Sequence, residues 1–301
     1  MKINTNYKLR EVAGETIVVN QGKAGADMTR IISLNASAKL LYERLQGCEF
    51  GVEDAAMVLE DTYGIPEGWT IKNACQICYT STDGNIVTPN SWAQFGANIV
   101  SNTYENGVGI IEFDGPVTTL SGLDGFSGAF GNCTTLKSIE IPNTVTSVGY
   151  GSFFCCSALL NVTLPKNITK IEDFTFHNCE SLEPIVIPEG VTSLGYRSFG
   201  ANLKMTSVTL PKELVTIGGD AFCWNEALTT ITIPEKVTTI GDRAFTGSKL
   251  LTTIYCKPVT PPTLPGSSHF TASGKTIYVP AASVAAYKEA WPDYADCIVS
   301  E

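Results

Sequence analysis

Histidine is scarce in this 301-residue chain: there are only two, His177 and His269. A zinc centre wants four well-spaced ligands, and the sole C-x-x-C, Cys75 to Cys78, has no second pair to complete it. No metal or cofactor site is therefore expected. Basic residues are also few, 20 against 30 acidic ones, for a net charge of −10. That balance argues against nucleic acid and anionic membrane, which both reward basic patches. No apolar run approaches the ~18 residues of a membrane span. The first 25 residues carry Lys8, Arg10, Glu11 and Glu15 and show no continuous apolar stretch, so no Sec-type signal is visible there. Gly-rich phosphate loops, calcium loops and paired acid–base residues are missing as well.

What is abundant is repetition. Pro142, Pro165, Pro188, Pro211 and Pro234 follow one another every 23 residues, and Phe153, Phe176, Phe199, Phe222 and Phe245 keep the same interval. Phe130 extends the phenylalanines one step upstream, beside an irregular first turn, where it is expected to matter less than the central rings. Leu136, Leu159, Leu182, Met205, Leu228 and Leu251 open the successive units. A fixed period of 20–30 residues is the mark of a solenoid, in which each turn covers its neighbour's apolar face. Cys133, Cys156 and Cys179 lie on the same ladder, which reads as a repeated core slot filled by small thiols and not as a disulfide framework. Asp173, His177 and Ser181 fall within one repeat, but Ser181 lacks the context of an activated nucleophile. The expected protein is not an enzyme.

Residues 1–66 have another texture. Strands are expected at Tyr7–Val12, Glu15–Val19 and Met28–Leu34. Asn35 sits at an N-cap position before the helical pattern Ala38, Leu41, Tyr42, Leu45, and a second helix is expected over about Val52–Tyr63. "LREVAGETIVV", "ISLNASAKLLYERL" and "GVEDAAMVLEDTYGI" resemble PqqD-like domains, winged-helix-like α+β modules that recognise leader peptides. That resemblance implies a peptide partner at the N-terminal segment, although "PEGWTIKNACQ" supplies no amphipathic third helix.

Residues 67–135 read as a β-hairpin lead-in and an irregular first repeat, with turns at Asp83-Gly84 and Asn106-Gly107. The first turn carries about five extra residues near Ser121–Gly125. Regular repeats span 136–256. In each, apolar residues alternate with polar ones along a short strand, proline ends it, a second strand such as Val145–Val148 follows, and a glycine marks a bend. Gly149, Gly195, Gly218 and Gly241 hold that bend where a side chain would obstruct the next coil; Glu172 is the exception. This unit resembles the BspA-like, or Treponema-type, leucine-rich repeats of bacterial surface proteins, over about residues 75–301. The resemblance implies a leucine-rich-repeat solenoid, a binding or adhesion role, and a cell-surface or secreted setting. Residues 257–301 form a C-terminal cap, with a last strand at Ile277–Pro280 and a helix capped by Ser283 that carries Val284, Tyr287 and Trp291.

The candidate site is a surface. Outward positions of successive first strands align as Thr206, Ser207, Thr209; Thr229, Thr230, Thr232; and Thr252, Thr253, Tyr255. Tyr150 and Tyr196 are read as exposed aromatics at the bend, suited to anchoring a partner. Threonine also simply suits an exposed sheet, so no single residue carries the argument alone. Two functions follow from this reading. One is a scaffold presenting its repeat face to a protein or glycan; the other is an adaptor that binds a leader peptide through residues 1–66.

Overall fold

The computed structural model describes residues 74–122, 128–266, 269–271 and 273–301, together with the backbone of three N-terminal strands. The chain divides into two units, Met1–Asn73 and Ala74–Glu301. In the first unit, β1 (Tyr7–Val12), β2 (Glu15–Asn20) and β3 (Ile32–Leu34) form an antiparallel sheet in the order β1-β2-β3. The helices expected at 38–45 and 52–63, and with them most of the PqqD-like reading, lie outside the described residues.

The second unit is a β-solenoid with a lead-in. β4 (Gln76–Ser81), β5 (Ala93–Gln94), β6 (Ile99–Glu105), β7 (Val108–Phe113) and β8 (Thr119–Gly122) precede the regular turns. β6 and β7 close through Asn106 and Gly107 at φ 51° and 86°, the left-handed pair that such a hairpin requires. Asp83-Gly84 closes no hairpin. Asp83 instead accepts from the Asn85 N–H at 3.1 Å in a local turn, and β4 pairs antiparallel with both β7 and β9 (Leu136–Glu140). The solenoid's first strand is thus covered on its open edge by an antiparallel neighbour.

From β9 onward each turn contributes a first strand and a short second strand. The first strands are β9, β11 (Asn161–Thr163), β13 (Ile185–Val186), β15 (Val208–Thr209), β17 (Thr230–Ile233) and β19 (Thr253–Cys256). The second strands are β10 (Ser147–Val148), β12 (Lys170–Ile171), β14 (Ser193–Leu194), β16 (Thr216–Ile217) and β18 (Thr239–Ile240), two residues each and so shorter than the sequence suggests. Pairing between turns is parallel at an offset of 23, as in Ser193↔Thr216 and Thr216↔Thr239. Ser147 pairs with Thr119 at an offset of 28, which confirms the five-residue insertion in the first turn.

The core is a ladder of rings. Phe130, Phe153, Phe176, Phe199, Phe222, Phe245 and Phe270 are buried and stack face to face at 5.2–5.7 Å. Phe95 closes the ladder edge-on against Phe130 at 5.9 Å, so Phe130 is as deeply buried as the central rings. The cysteine slot continues past the thiols. Cys156 and Cys179 donate to Phe130 O and Phe153 O, and the same place is then taken by Asn202, Asn225 and Ser248. Cys179 N–H donates to Asn202 Oδ1, Asn202 N–H to Asn225 Oδ1, and Asn225 N–H to Ser248 Oγ. These side chains thus take up the buried backbone N–H groups of Cys179, Asn202 and Asn225 in the tight turn after the phenylalanine. Cys133 is only half-buried. The bend glycines meet the preceding coil: a Cβ on Gly218 would lie 2.6 Å from the Gly195 carbonyl carbon.

At the far end, β20 (Thr276–Val279) is not the last strand. After α1 (Val284–Ala290) the chain returns as β21 (Ile298–Ser300), which pairs parallel with β20. Ser283 does not cap α1; its hydroxyl donates to Val259 O at 2.7 Å, because the segment is docked sideways on the last turn. Tyr287 Oη and Trp291 Nε1 likewise donate to Pro258 O and Pro262 O, and this fixes the cap over the open core.

Candidate binding surface

The threonine columns are real but uneven. Thr206, Ser207, Thr209, Thr229, Thr230 and Thr232 are exposed, whereas Thr252, Thr253 and Tyr255 are half-buried. Register explains the difference. Thr253 lies between Thr230 and Thr276, and Tyr255 stacks on Tyr278 at 5.0 Å with Lys257 Nζ 5.5 Å from its ring centre. The outward row therefore runs Thr232, Tyr255, Tyr278, Val299 and ends in aromatic and apolar surface.

The face is also interrupted. Among the described residues no strand pairing joins β11 to β13 or β15 to β17. The first gap has a visible cause. Pro184 stands where the other turns carry Ser138, Asn161, Ser207, Thr230 or Thr253, and it has no N–H to give the ladder. At the second gap lies a groove of about 710 Å³, with Thr209 and Thr232 on its two banks and Lys212, Lys236 and Lys257 along its rim. Two of those lysines are already paired, Lys236 with Glu213 at 2.5 Å and Lys257 with Glu301.

The bend edge is more cohesive than the sequence implies. Tyr150 is half-buried, not exposed, because its ring packs on Phe174 at 5.3 Å. Phe174 in turn meets Tyr196 at 5.4 Å, so the two tyrosines belong to one aromatic run. Tyr196 is 36% exposed, with the Arg197 guanidinium 5.2 Å from its ring centre. The nearly buried Asp220 carboxylate draws in Arg197 Nε at 3.5 Å and Arg243 Nη2 at 3.2 Å. Burial, and then the hydrogen bond and charge of Asp220, push the Tyr196 phenol up. Its backbone N–H donates to Asp173 Oδ1 at 2.7 Å. His177 stacks on Phe154, and burial together with the Arg197 charge lowers its imidazole, which keeps it neutral near pH 7.

Sequence reasoning missed Phe174, Arg197, Asp220 and Arg243. They occupy one position of the repeat whose identity varies, so no consensus letter marks it. The signal available was the column itself, Gly151, Phe174, Arg197, Asp220, Arg243, with charges of alternating sign on consecutive turns. All five have left-handed backbone, φ 51–56°. Bulky residues are disfavoured there and glycine is not. The arrangement offers rings, guanidinium groups and hydroxyls to a partner. Among the described residues no three His, Cys, Asp or Glu side chains are set to hold a metal. Within them, too, no helix is long and apolar enough to cross a membrane.

Residues 126–225 match the BspA type leucine rich repeat region, in six copies. No curated protein matches the chain. Among solved structures, a leucine-rich repeat protein of T. pallidum is 24% identical, with a TM-score of 0.50 over 60% of this chain and 80% of its own. A leucine-rich cell surface protein from Faecalibacterium prausnitzii is 23% identical, with a TM-score of 0.40 over 66% and 72%. A leucine-rich repeat protein from Bacteroides ovatus is 20% identical, with a TM-score of 0.40 over 61% and 63%. The 23-residue ladder thus has the fold of a leucine-rich-repeat solenoid, and residues 126–225 match the BspA type of repeat.

Proposed function

We propose that the chain is a non-enzymatic binding or adhesion scaffold that presents its repeat surface to a protein or glycan partner. The observation that supports this most is the bend edge, where Tyr150, Phe174, Tyr196 and Arg197 form a continuous run, two of whose members, Phe174 and Arg197, stand at a left-handed backbone position that Gly151 fills at lower conformational cost. Tyrosine and arginine are the residue types that carry binding energy at protein interfaces. The exposed Thr206, Ser207, Thr209, Thr229, Thr230 and Thr232 belong to the same reading as a peripheral face, with Thr252, Thr253 and Tyr255 as its half-buried continuation. The test is retention of chain-coated beads on immobilised matrix proteins and on a glycan array. Tyr196→Ala combined with Arg197→Gly should lower retention at least tenfold. Equal retention by that variant and by Thr209→Ala/Thr232→Ala would refute the reading.

A second reading, an adaptor binding a leader peptide through residues 1–66, draws on the β1-β2-β3 sheet. Its outer strands β1 and β3 each have one partner among the described residues, the kind of edge to which a peptide strand adds. Titration of the full chain with a panel of leader peptides would decide it, absence of binding refuting it.

A further inference from the structure

The lead-in sheet ends in an open strand. β6 is outermost in the order β11-β9-β4-β7-β6, and among the described residues it pairs only with β7. The hairpin decides which of its main-chain groups face outward. Glu105 and Val108 flank the two-residue turn Asn106-Gly107 and exchange the first hydrogen bond of the pair. Bonded and non-bonded pairs alternate along an antiparallel ladder, so Thr103 and Ser101 bond to β7. Asn102 and Tyr104 therefore turn their N–H and C=O groups to the free edge. Lysine, proline or a bulge normally blunts such an edge. β6 has neither residue, and its one register shift, between Ile99 and Ser101, leaves 101–105 regular. Beside it Ile99 is 43% and Val100 66% exposed.

Charge around this edge is of one sign. From 73 to 136 the sequence holds no lysine, arginine or histidine, against Asp83, Glu105, Glu112, Asp114 and Asp124. The carboxylates of β7 and its end are met by neutral groups. Glu112 accepts from Gln76 Nε2 at 3.2 Å and Ser101 Oγ at 2.8 Å, and Asp114 accepts from Asn98 Nδ2 at 2.8 Å.

We propose that β6 docks an extended segment of a partner protein as an added strand, with basic residues at alternate positions of that segment. The proposal rests on the reading of the chain as a binding scaffold and adds a second contact to it. Two observations select this occupant. The outward groups of Asn102 and Tyr104 recur every second residue, the period of a strand, whereas a helix uses its main-chain groups internally. The Ser101–Glu112 bond puts Ser101 on the same face as that carboxylate, and Thr103 and Glu105 follow on this face by alternation. Alternate residues of the added strand lie beside them, where a cation meets Glu105 and Glu112 unopposed. A second copy would bring the same carboxylates and no cation, so charge disfavours it.

The probe is a synthetic peptide of alternating lysine and valine, labelled for fluorescence anisotropy against the full chain. One control has glutamate in place of lysine. The other keeps lysine but is N-methylated on its valines, the residues that come opposite Asn102 and Tyr104, so charge stays and the donors go. The lysine peptide should bind, and both controls should bind at least tenfold more weakly. In amide hydrogen exchange, saturating lysine peptide should slow Asn102 and Tyr104 and leave Thr103, already bonded to β7, unchanged. Val100→Lys combined with Thr103→Lys places the usual edge guard at two exposed positions and should cut affinity at least tenfold with an unchanged Tm. Should that variant loosen the fold, Val100→Lys alone takes its place with the same expectation. No binding of the lysine peptide, equal binding of either control, unchanged exchange at Asn102 and Tyr104, or full affinity in the lysine variants would overturn the proposal. So would a dimer in sedimentation velocity that the same variants dissolve, which would make a second copy the occupant. None of these outcomes touches the scaffold reading, which is tested through Tyr196 and Arg197.

Discussion

Phe199→Ala is the most informative single perturbation of the fold. The ring is fully buried and stacks on Phe176 at 5.3 Å and on Phe222 at 5.5 Å, with interplanar angles of 15° and 6°. An aromatic side chain buries roughly 150–250 Å², which at about 25 cal/mol/Å² sets a ceiling of about 4–6 kcal/mol. A compact denatured state lowers that by roughly 10–40%. The backbone on both sides is tied into neighbouring turns, Phe199 N–H donating to Ala221 O and Phe176 N–H to Ser198 O, so the gap cannot close by collapse. The expected loss is therefore about 3–5 kcal/mol, in the range of other buried phenylalanine truncations. Urea unfolding followed by circular dichroism measures it, with exposed Thr232→Ala, expected within about 0.5 kcal/mol of the parent, as the control. Phe130→Ala should cost nearly as much, because Phe95 covers that ring from outside. A loss under about 1 kcal/mol at Phe199 would mean that the ladder is not a continuous core.

Three further predictions follow from the ladder and the buried titratable groups. Cys156 and Cys179 are buried, and burial pushes both thiols up; Cys133, half-buried, rises to about 11. Native protein at pH 7 should leave all three unlabelled by a thiol reagent over the time that urea-unfolded protein reacts completely, and rapid native labelling would refute this. Deleting residues 182–204, one full period, joins Ser181 to Met205 and brings Asn225 into the place that Asn202 holds beside Cys179. That variant should melt cooperatively, whereas deleting 182–193 throws every later column out of register and should unfold the chain; the reverse order would disprove the repeat architecture. Finally, His177 and His269 are both lowered, chiefly by burial, and His269 donates from Nδ1 to Gly241 O at 2.9 Å while its buried Nε2 meets no donor among the described residues. A depressed folded-state pKa means stability that is present above the unfolded value of about 6.5 and lost as pH falls through the folded one. Tm should therefore drop below about pH 6.5, and His269→Gln should flatten that slope; an unchanged slope would remove His269 from the explanation.

The period of 23, the phenylalanine and proline columns and the crowding at the bend glycines were legible in the chain itself. A solenoid repeats its local environment, so each core position is written again in every turn. The hairpin at Asn106-Gly107 was legible for a different reason, since two successive left-handed residues leave few other choices. What tertiary structure decided lies where the repetition stops or its letters vary. Only packing shows that β4 runs antiparallel to β9, and that Ser283 serves Val259 instead of α1. The run from Tyr150 to Tyr196 through Phe174, and the hold of Asp220 on two arginines, join side chains 22 to 24 residues apart at positions with no consensus. Their contact depends on how one coil settles on the next, and a linear pattern records the coil but not the settling.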